Sequence, residues 1–153
     1  MENSSIVLGI VITVIILVPT FYLATAGRRK MKKNLTRFID TLKEQAIYVN
    51  DYEQLGQYII GVDGNAGILV YKNGENEPEI VDLKNLSVCS NNIPKELKKN
   101  LNNNLYLELL TKDAKKSKIA LEFYDSTFAL DPSNEIKLIE NWTGKVNSYI
   151  SRA

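Results

Sequence analysis

The sequence predicts an α+β protein: an N-terminal transmembrane helix and an amphipathic helix, then an antiparallel β-barrel or sheet of about six or seven strands closed by a C-terminal α-helix. Three observations carry this reading. An uncharged apolar run opens the chain, short β-rich runs separated by turn signals fill its middle, and a final segment is apolar at every third or fourth position.

The opening run comes first. Between Glu2 and Arg28 no side chain is charged, and Ile6 to Ala26 is built from Ile, Val, Leu, Phe, Tyr and Ala, with Gly9, Thr13, Pro19 and Thr20 as mild interruptions. A helix rises about 1.5 Å per residue, so roughly 20 apolar residues cross a hydrocarbon core about 30 Å thick. Lipid removes water as a competitor for the backbone, so even a run rich in β-branched residues becomes helical there. Residues 1–27 are therefore expected to form a transmembrane anchor, with Phe21 and Tyr22 near its boundary.

The flanks set its orientation. Arg28, Arg29, Lys30, Lys32 and Lys33 place five cations within six positions, while the other side has only Glu2 and the terminal amine. The positive-inside rule keeps the basic flank cytoplasmic, which puts the N-terminus outside the inner membrane and the domain in the cytoplasm. A cleaved signal peptide is the rival reading, because Ala24-Thr25-Ala26 has the small-x-small pattern. Against it, Met1 to Ser5 lacks a basic region, the apolar run is long, and the cations would directly follow the cut. The single cysteine, Cys89, agrees with a reducing compartment.

The net charge of +1 conceals an asymmetry. Six of the 19 basic residues lie between Arg28 and Arg37, leaving 13 bases against 17 acids from Phe38 onward, a net charge of −4. Basic character thus belongs to the juxtamembrane stretch, where it sets topology or attracts anionic lipid headgroups. A mildly acidic domain without a basic, aromatic-interleaved stripe does not point to nucleic acid.

Residues 28–50 hold this stretch and an amphipathic helix. From Met31 to Val49, Leu35, Phe38, Ile39, Leu42, Ala46 and Val49 recur at steps of three or four, opposite Thr36, Arg37, Asp40, Lys43 and Glu44. The helix either continues the anchor or restarts after Gly27. Residues 51–153 are expected to form one domain, since this length suffices for a single core.

Within that domain the period changes. Gln57 to Val62 and Gly67 to Lys72 flank Asp63-Gly64-Asn65, the expected first hairpin turn, and Asn73-Gly74 marks the next. Glu79 to Leu83 resumes an extended pattern. Leu86 to Ser90 alternates, with Leu86, Val88 and Ser90 on one side and Ser87 and Cys89 on the other. A polar stretch with a short helical turn at Pro94 to Leu101 leads to strands at Leu105 to Thr111 and Lys118 to Tyr124, with a further short one at Thr127 to Leu130. For the closing helix Asp131 is the expected N-cap and Pro132 the first helical residue, and Glu135 suits the positive end of the dipole. Ile136, Ile139, Trp142, Val146 and Tyr149 or Ile150 form its apolar stripe, with Trp142 anchoring it on the sheet.

Hairpin strands closed by an amphipathic helix with a central Trp resemble the pleckstrin-homology-like (PH-like) barrel. The segments IVDLKNLSVCS (Ile80 to Ser90), ALEFYDS (Ala120 to Ser126) and IKLIENWTGKVNSYI (Ile136 to Ile150) are similar to small membrane-anchored proteins of Bacteroidota. The resemblance covers most of the chain after about Gln57 and rests on structural motifs. It implies a fold, and it carries no catalytic residues with it. Phosphoinositide-binding members of the fold hold basic residues at the first hairpin turn, where this chain has Asp63-Gly64-Asn65.

The chemical inventory gives exclusions. The chain has no histidine and one cysteine, which removes ordinary zinc sites and Cys-His nucleophilic pairs. Asp63-x-Asn65-x-Gly67 has the opening spacing of a calcium loop, but its sixth position is Ile68 and its twelfth Gly74, so a β-turn is the expected structure. No phosphate-cradling glycine motif occurs. Glu122 and Asp125 read as a solvated sheet face, and Cys89 as a small buried side chain. No catalytic, metal or cofactor site is expected. Two lysine groups are candidate lipid or partner contacts or, alternatively, solvated surface: Lys112, Lys115, Lys116 and Lys118 at one hairpin turn, and Lys95, Lys98 and Lys99 on the preceding loop.

The expectation is a non-enzymatic scaffold at the inner membrane face that binds a protein or peptide partner, presenting an exposed apolar patch or open strand edge. The alternative is anionic-lipid sensing through the lysines.

Overall fold

The computed structural model describes residues 31–93, 104–113, 118–125 and 131–152. The expected anchor over residues 1–27, the cations Arg28, Arg29, Lys30, Lys115 and Lys116, the lysines of the preceding loop (Lys95, Lys98, Lys99), the helical turn at Pro94 to Leu101 and the strand at Thr127 to Leu130 lie outside them. No helix of the described residues is long and apolar enough to cross a membrane. The chain divides into two compact units, Met1–Asp40 and Thr41–Ala153.

Helix α1 covers residues 31–44, five residues shorter than the stripe to Val49 implied. Its end is a Schellman motif: Ile47 N–H donates to the Leu42 carbonyl at 2.9 Å, and Ala46 N–H to the Lys43 carbonyl at 2.9 Å. Ala46 sits in the left-handed region at φ 59°. Leu42 and Ile47, the apolar pair that accompanies this motif, are both buried.

The domain that follows is α+β, with seven antiparallel strands and a C-terminal helix among the described residues. Strands β1 (Asp51–Leu55), β2 (Tyr58–Asp63), β3 (Ile68–Asn73) and β4 (Glu79–Asp82) form one sheet in that order. A 3₁₀ turn, Leu83–Asn85, leads to the second sheet, β5 (Leu86–Asn91), β6 (Leu105–Thr111) and β7 (Lys118–Tyr124). Helix α2 runs Ser133–Ile150. Among the described residues the sheets share no strand, so the expected barrel is instead two sheets. The 3₁₀ turn interrupts the ladder on one side. On the other, the Glu122 carbonyl of β7 accepts the Tyr71 hydroxyl of β3.

Strand β1 was not expected. Its residues DYEQL put Asp51 and Glu53 in register with the core-facing Val62 and Ile60 of β2, which inverts the usual alternation at a sheet edge. Helix α2 supplies what those acids need, as described below. With β1 in place, Asp63–Gly67 is the second hairpin turn, and the first turns through Gly56 and Gln57. A second departure lies in β5. A bulge between Leu86 and Val88 shifts the register, so Leu86 and Cys89 are buried while Val88 is 39% exposed.

The core lies between the sheets and α2. Tyr58, Ile60 and Val62 face it from β2, and Leu105, Leu107 and Leu109 face it from β6. Phe123 of β7 packs against Tyr71 and Tyr58 with ring centroids 5.0 and 5.7 Å apart. Trp142, Ile139 and Val146 of α2 close it, the stripe read from the sequence, with Leu138 added. Asp131 caps from one position earlier than expected: Pro132 occupies the cap site, and the Asp131 carboxylate accepts Ser133 N–H at 3.0 Å.

On the opposite face of the first sheet Tyr52, Gly61, Val70 and Ile80 stand in one cross-strand row. Val70 is fully buried although it points away from the core, and Tyr52 and Ile80 are 48% and 44% exposed. Gly61 is required in that row. A Cβ there would lie 2.6 Å from Val49 Cγ1 and 3.0 Å from Tyr52 Cβ.

Candidate functional site

Of the sequence-derived candidates, Lys32, Lys33, Lys112 and Lys118 lie among the described residues. Lys32 and Lys33 are exposed on α1. Lys118 Nζ forms an ion pair with Glu108 at 2.6 Å across the β6–β7 ladder. Lys112 Nζ donates to the Lys84 carbonyl at 2.8 Å, and its own N–H reaches the Asn85 carbonyl at 2.8 Å. These two lysines thus hold the second sheet to the 3₁₀ turn and to itself. Lys115 and Lys116 lie outside the described residues.

Where a β-turn is expected, Asp63–Gly67 forms a wider hairpin turn, closed by Gly67 N–H donating to the Asp63 carbonyl at 2.9 Å. Asp63 is buried at 2% exposure, and its carboxylate accepts N–H donors from Tyr48 at 2.8 Å, Asn65 at 3.0 Å and Ala66 at 2.9 Å. Burial alone would raise its pKa. The three donors outweigh that and hold it below the ordinary carboxylate value. Every carboxylate oxygen is committed to the backbone, so this acid fixes the turn. Among the described residues no group of three or more His, Cys, Asp or Glu is placed to hold a metal ion. Cys89 is 2% exposed, and burial pushes its thiol up to about 12, which keeps it un-ionised at neutral pH.

A groove forms beside this turn. It has a volume of about 210 Å³ and is lined by Gly64, Asn65, Gly67, Leu83, Lys84, Tyr149 and Arg152. Three elements build it: the β2–β3 turn, the 3₁₀ turn, and the last turn of α2. Asp82 fixes the 3₁₀ turn, its carboxylate accepting Lys84 N–H at 2.9 Å and the Asn85 amide at 3.2 Å. With its N–H held by Asp82 and its carbonyl by Lys112, Lys84 has a pinned backbone and a side chain that runs into the groove. Arg152 is set by its N–H bond to the Tyr149 carbonyl at 3.0 Å.

The two glycines let these side chains close in. A Cβ at Gly64 would meet Tyr149 Cε1 at 3.0 Å, so the tyrosine ring lies directly on the turn backbone. Gly67, at φ +71°, would place a Cβ 3.7 Å from Lys84 Cε, so the lysine stem runs along it. Lys84 and Arg152 form no ion pair with a carboxylate among the described residues. The turn's own N–H groups are spent: Gly64 donates to the Asn50 side chain, Asn65 and Ala66 to Asp63, and Gly67 to the Asp63 carbonyl. Donors to any ligand are therefore side chains, namely two cations, the Tyr149 hydroxyl and the Asn65 amide.

Neither Lys84 nor Arg152 stood out in the sequence, because each is an isolated cation 68 positions from the other. Only the docking of α2 against the 3₁₀ turn brings them together. No family model, curated protein or solved structure matches the chain.

Proposed function

We propose that the chain is a membrane-tethered, non-enzymatic interaction module that binds a protein or peptide partner at the cytoplasmic face of the inner membrane. In this reading residues 1–27 are the single-pass anchor, and the domain is PH-like, of the kind its sequence resembles in small membrane-anchored proteins of Bacteroidota. The order of four strands, three strands and a closing helix supports that finer assignment. The observation that carries the reading is the groove at Lys84, Tyr149 and Arg152. An open surface recess with aromatic and arginine side chains at its rim has the composition of a protein-recognition site.

Anionic-lipid sensing is less well supported. Lys112 and Lys118 direct their ammonium groups to partners within the domain, and the chain from Phe38 onward carries a net charge of −4.

The test is affinity capture of the tagged full-length protein from gently solubilised native membranes. The proposal expects one stoichiometric partner that is lost when Thr41–Ala153 is deleted. Salt-sensitive sedimentation with anionic vesicles and no protein partner would replace it with the lipid reading. Orientation is checked by Glu75→Cys, an exposed position, with a membrane-impermeant maleimide on intact cells. Buried Cys89 gives a low background, and labelling of the variant in intact cells would refute a cytoplasmic domain.

A further inference from the structure

We infer that the groove between the β2–β3 turn, the 3₁₀ turn and the end of α2 receives the carboxylates of an acidic peptide segment, held by Lys84 and Arg152 against the Tyr149 ring. This rests on the protein-binding reading above and deepens it by naming the chemistry of the partner and the residues that meet it.

Charge bookkeeping around the groove supports an anionic ligand. Asp63 and Asp82, the acids of the two turns that line the groove, are already satisfied: Asp63 by three backbone N–H groups, and Asp82 by Lys84 N–H and the Asn85 amide. Lys112 is engaged with the Lys84 carbonyl and adds a third positive charge. Lys84 and Arg152 have no such ion-pair or hydrogen-bond partner for their charged groups among the described residues. An arginine fork matches a carboxylate in two parallel hydrogen bonds, and a lysine beside it supplies a mobile second charge.

The donor set favours carboxylate over a tetrahedral oxyanion. Phosphate sites ordinarily present converging backbone N–H groups at a helix N-terminus or a glycine-rich nest. Here the turn N–H groups are consumed internally, and the helix end that lines the groove is a C-terminus, whose dipole disfavours a concentrated dianion. Spread single charges along a peptide, with apolar stems laid on Tyr149, suit the recess better. The acidic surroundings act at longer range. A domain of net charge −4 repels an extended anionic bilayer, whereas a short acidic segment engages two cations at contact distance.

The experiment is heteronuclear correlation NMR on the full-length chain in zwitterionic micelles, titrated with N-acetylated tetraglutamate amide near neutral pH. Amides of Gly64, Asn65, Gly67, Lys84 and Arg152 are expected to shift saturably and to lose the response at high salt. The double variant Lys84→Ala/Arg152→Ala should weaken binding roughly five- to tenfold, the size expected for two exposed charge pairs. Both side chains are exposed, and unchanged Trp142 fluorescence verifies that the variant is folded. No shift at these amides overturns the inference. So does a stronger response of the same amides to inorganic phosphate, or to phosphatidylglycerol added to the micelles; the former would make this a free-phosphate site, the latter a lipid site. If the captured partner is retained in full by the double variant, the groove assignment falls while the interaction module stands. If no partner is captured and no groove amide shifts, both fall.

Discussion

The side-chain amide of Asn147 occupies the edge of β5 as a neighbouring strand would. Its Oδ1 accepts Cys89 N–H at 2.9 Å and its Nδ2 donates to the Cys89 carbonyl at 2.8 Å. The same Nδ2 donates to the Thr143 carbonyl at 2.9 Å, which ties the arrangement to the helix backbone. Thr143 adds a second link, its hydroxyl accepting from the Asn91 amide at 3.1 Å. The open edge that a partner strand would use is thus closed at Cys89 by the protein's own helix. Asn147→Ala leaves a donor and an acceptor of Cys89 unpaired and is expected to cost about 2–3 kcal/mol. Urea unfolding followed by Trp142 fluorescence measures this, since Trp142 is the single tryptophan and fully buried. A loss below about 0.5 kcal/mol would mean that water replaces the amide without penalty.

Glu53 is an acid on the core-facing side of β1, and α2 explains why it is tolerated. Trp142 Nε1–H donates to Glu53 Oε2 at 3.0 Å, and Asn141 Nδ2 donates to the same oxygen at 3.4 Å. Two positions away on the same face, Asp51 accepts from Lys145 at 2.9 Å, and the Lys145 ammonium stands 4.6 Å from the Trp142 ring centroid. Glu53→Ala orphans a buried indole N–H and should cost about 1–2 kcal/mol with a shift in tryptophan emission. Glu53→Gln keeps a carbonyl acceptor and should recover most of the loss. Equal losses for the two variants would show that the carboxylate charge, rather than the hydrogen bond, holds β1 to the helix.

Asp63 gives the domain an acid limb. Its folded pKa lies below the ordinary value of 3.8 because three N–H donors outweigh the effect of burial. A depressed carboxylate contributes stability that is fully present above the unfolded value and is lost as pH falls through the folded one. The loss therefore begins below about pH 4 and deepens with further acidification. Asp131, lowered by its hydrogen bonds from Ser133, acts in the same sense, so the single variant isolates Asp63. Asp63→Asn is expected to cost about 2 kcal/mol at neutral pH and to flatten the acid limb, because an amide replaces one acceptor oxygen with a donor. Parallel pH profiles for wild type and variant would assign the acid sensitivity elsewhere.

Regular patterns were legible where local chemistry and tertiary packing agree. The Trp142 stripe, the Asp63–Gly67 turn and six of the strands follow from period and turn residues alone. Strand β1 was not legible because its inward positions are Asp51 and Glu53. Their partners, Lys145 and Trp142, lie 94 and 89 residues away. The alternation of β5 misled at Val88, since a bulge leaves no mark in the pattern it interrupts. The groove had no sequence signal: Lys84 is one of many lysines, and Arg152 follows the last turn of a helix. Site residues contributed singly by separate elements become visible only when those elements are docked.

Helix α1 supplies the remaining case, and with it a stabilising change. Schellman motifs usually place glycine at the left-handed position, because a Cβ there crowds the following carbonyl at a cost of roughly 1–2 kcal/mol. This chain has Ala46, at φ 59° and exposed. That is why the apolar stripe ran on to Val49 with no stop signal to end it. Ala46→Gly relieves the crowding, removes no buried contact, and gives back part of the gain by loosening the unfolded chain. The expected net effect is stabilisation by about 0.5–1 kcal/mol, read as a higher urea midpoint with an unchanged slope. Destabilisation would mean that residues 45–47 continue the helix in solution, and that α1 ends nearer Val49 as its periodicity implies.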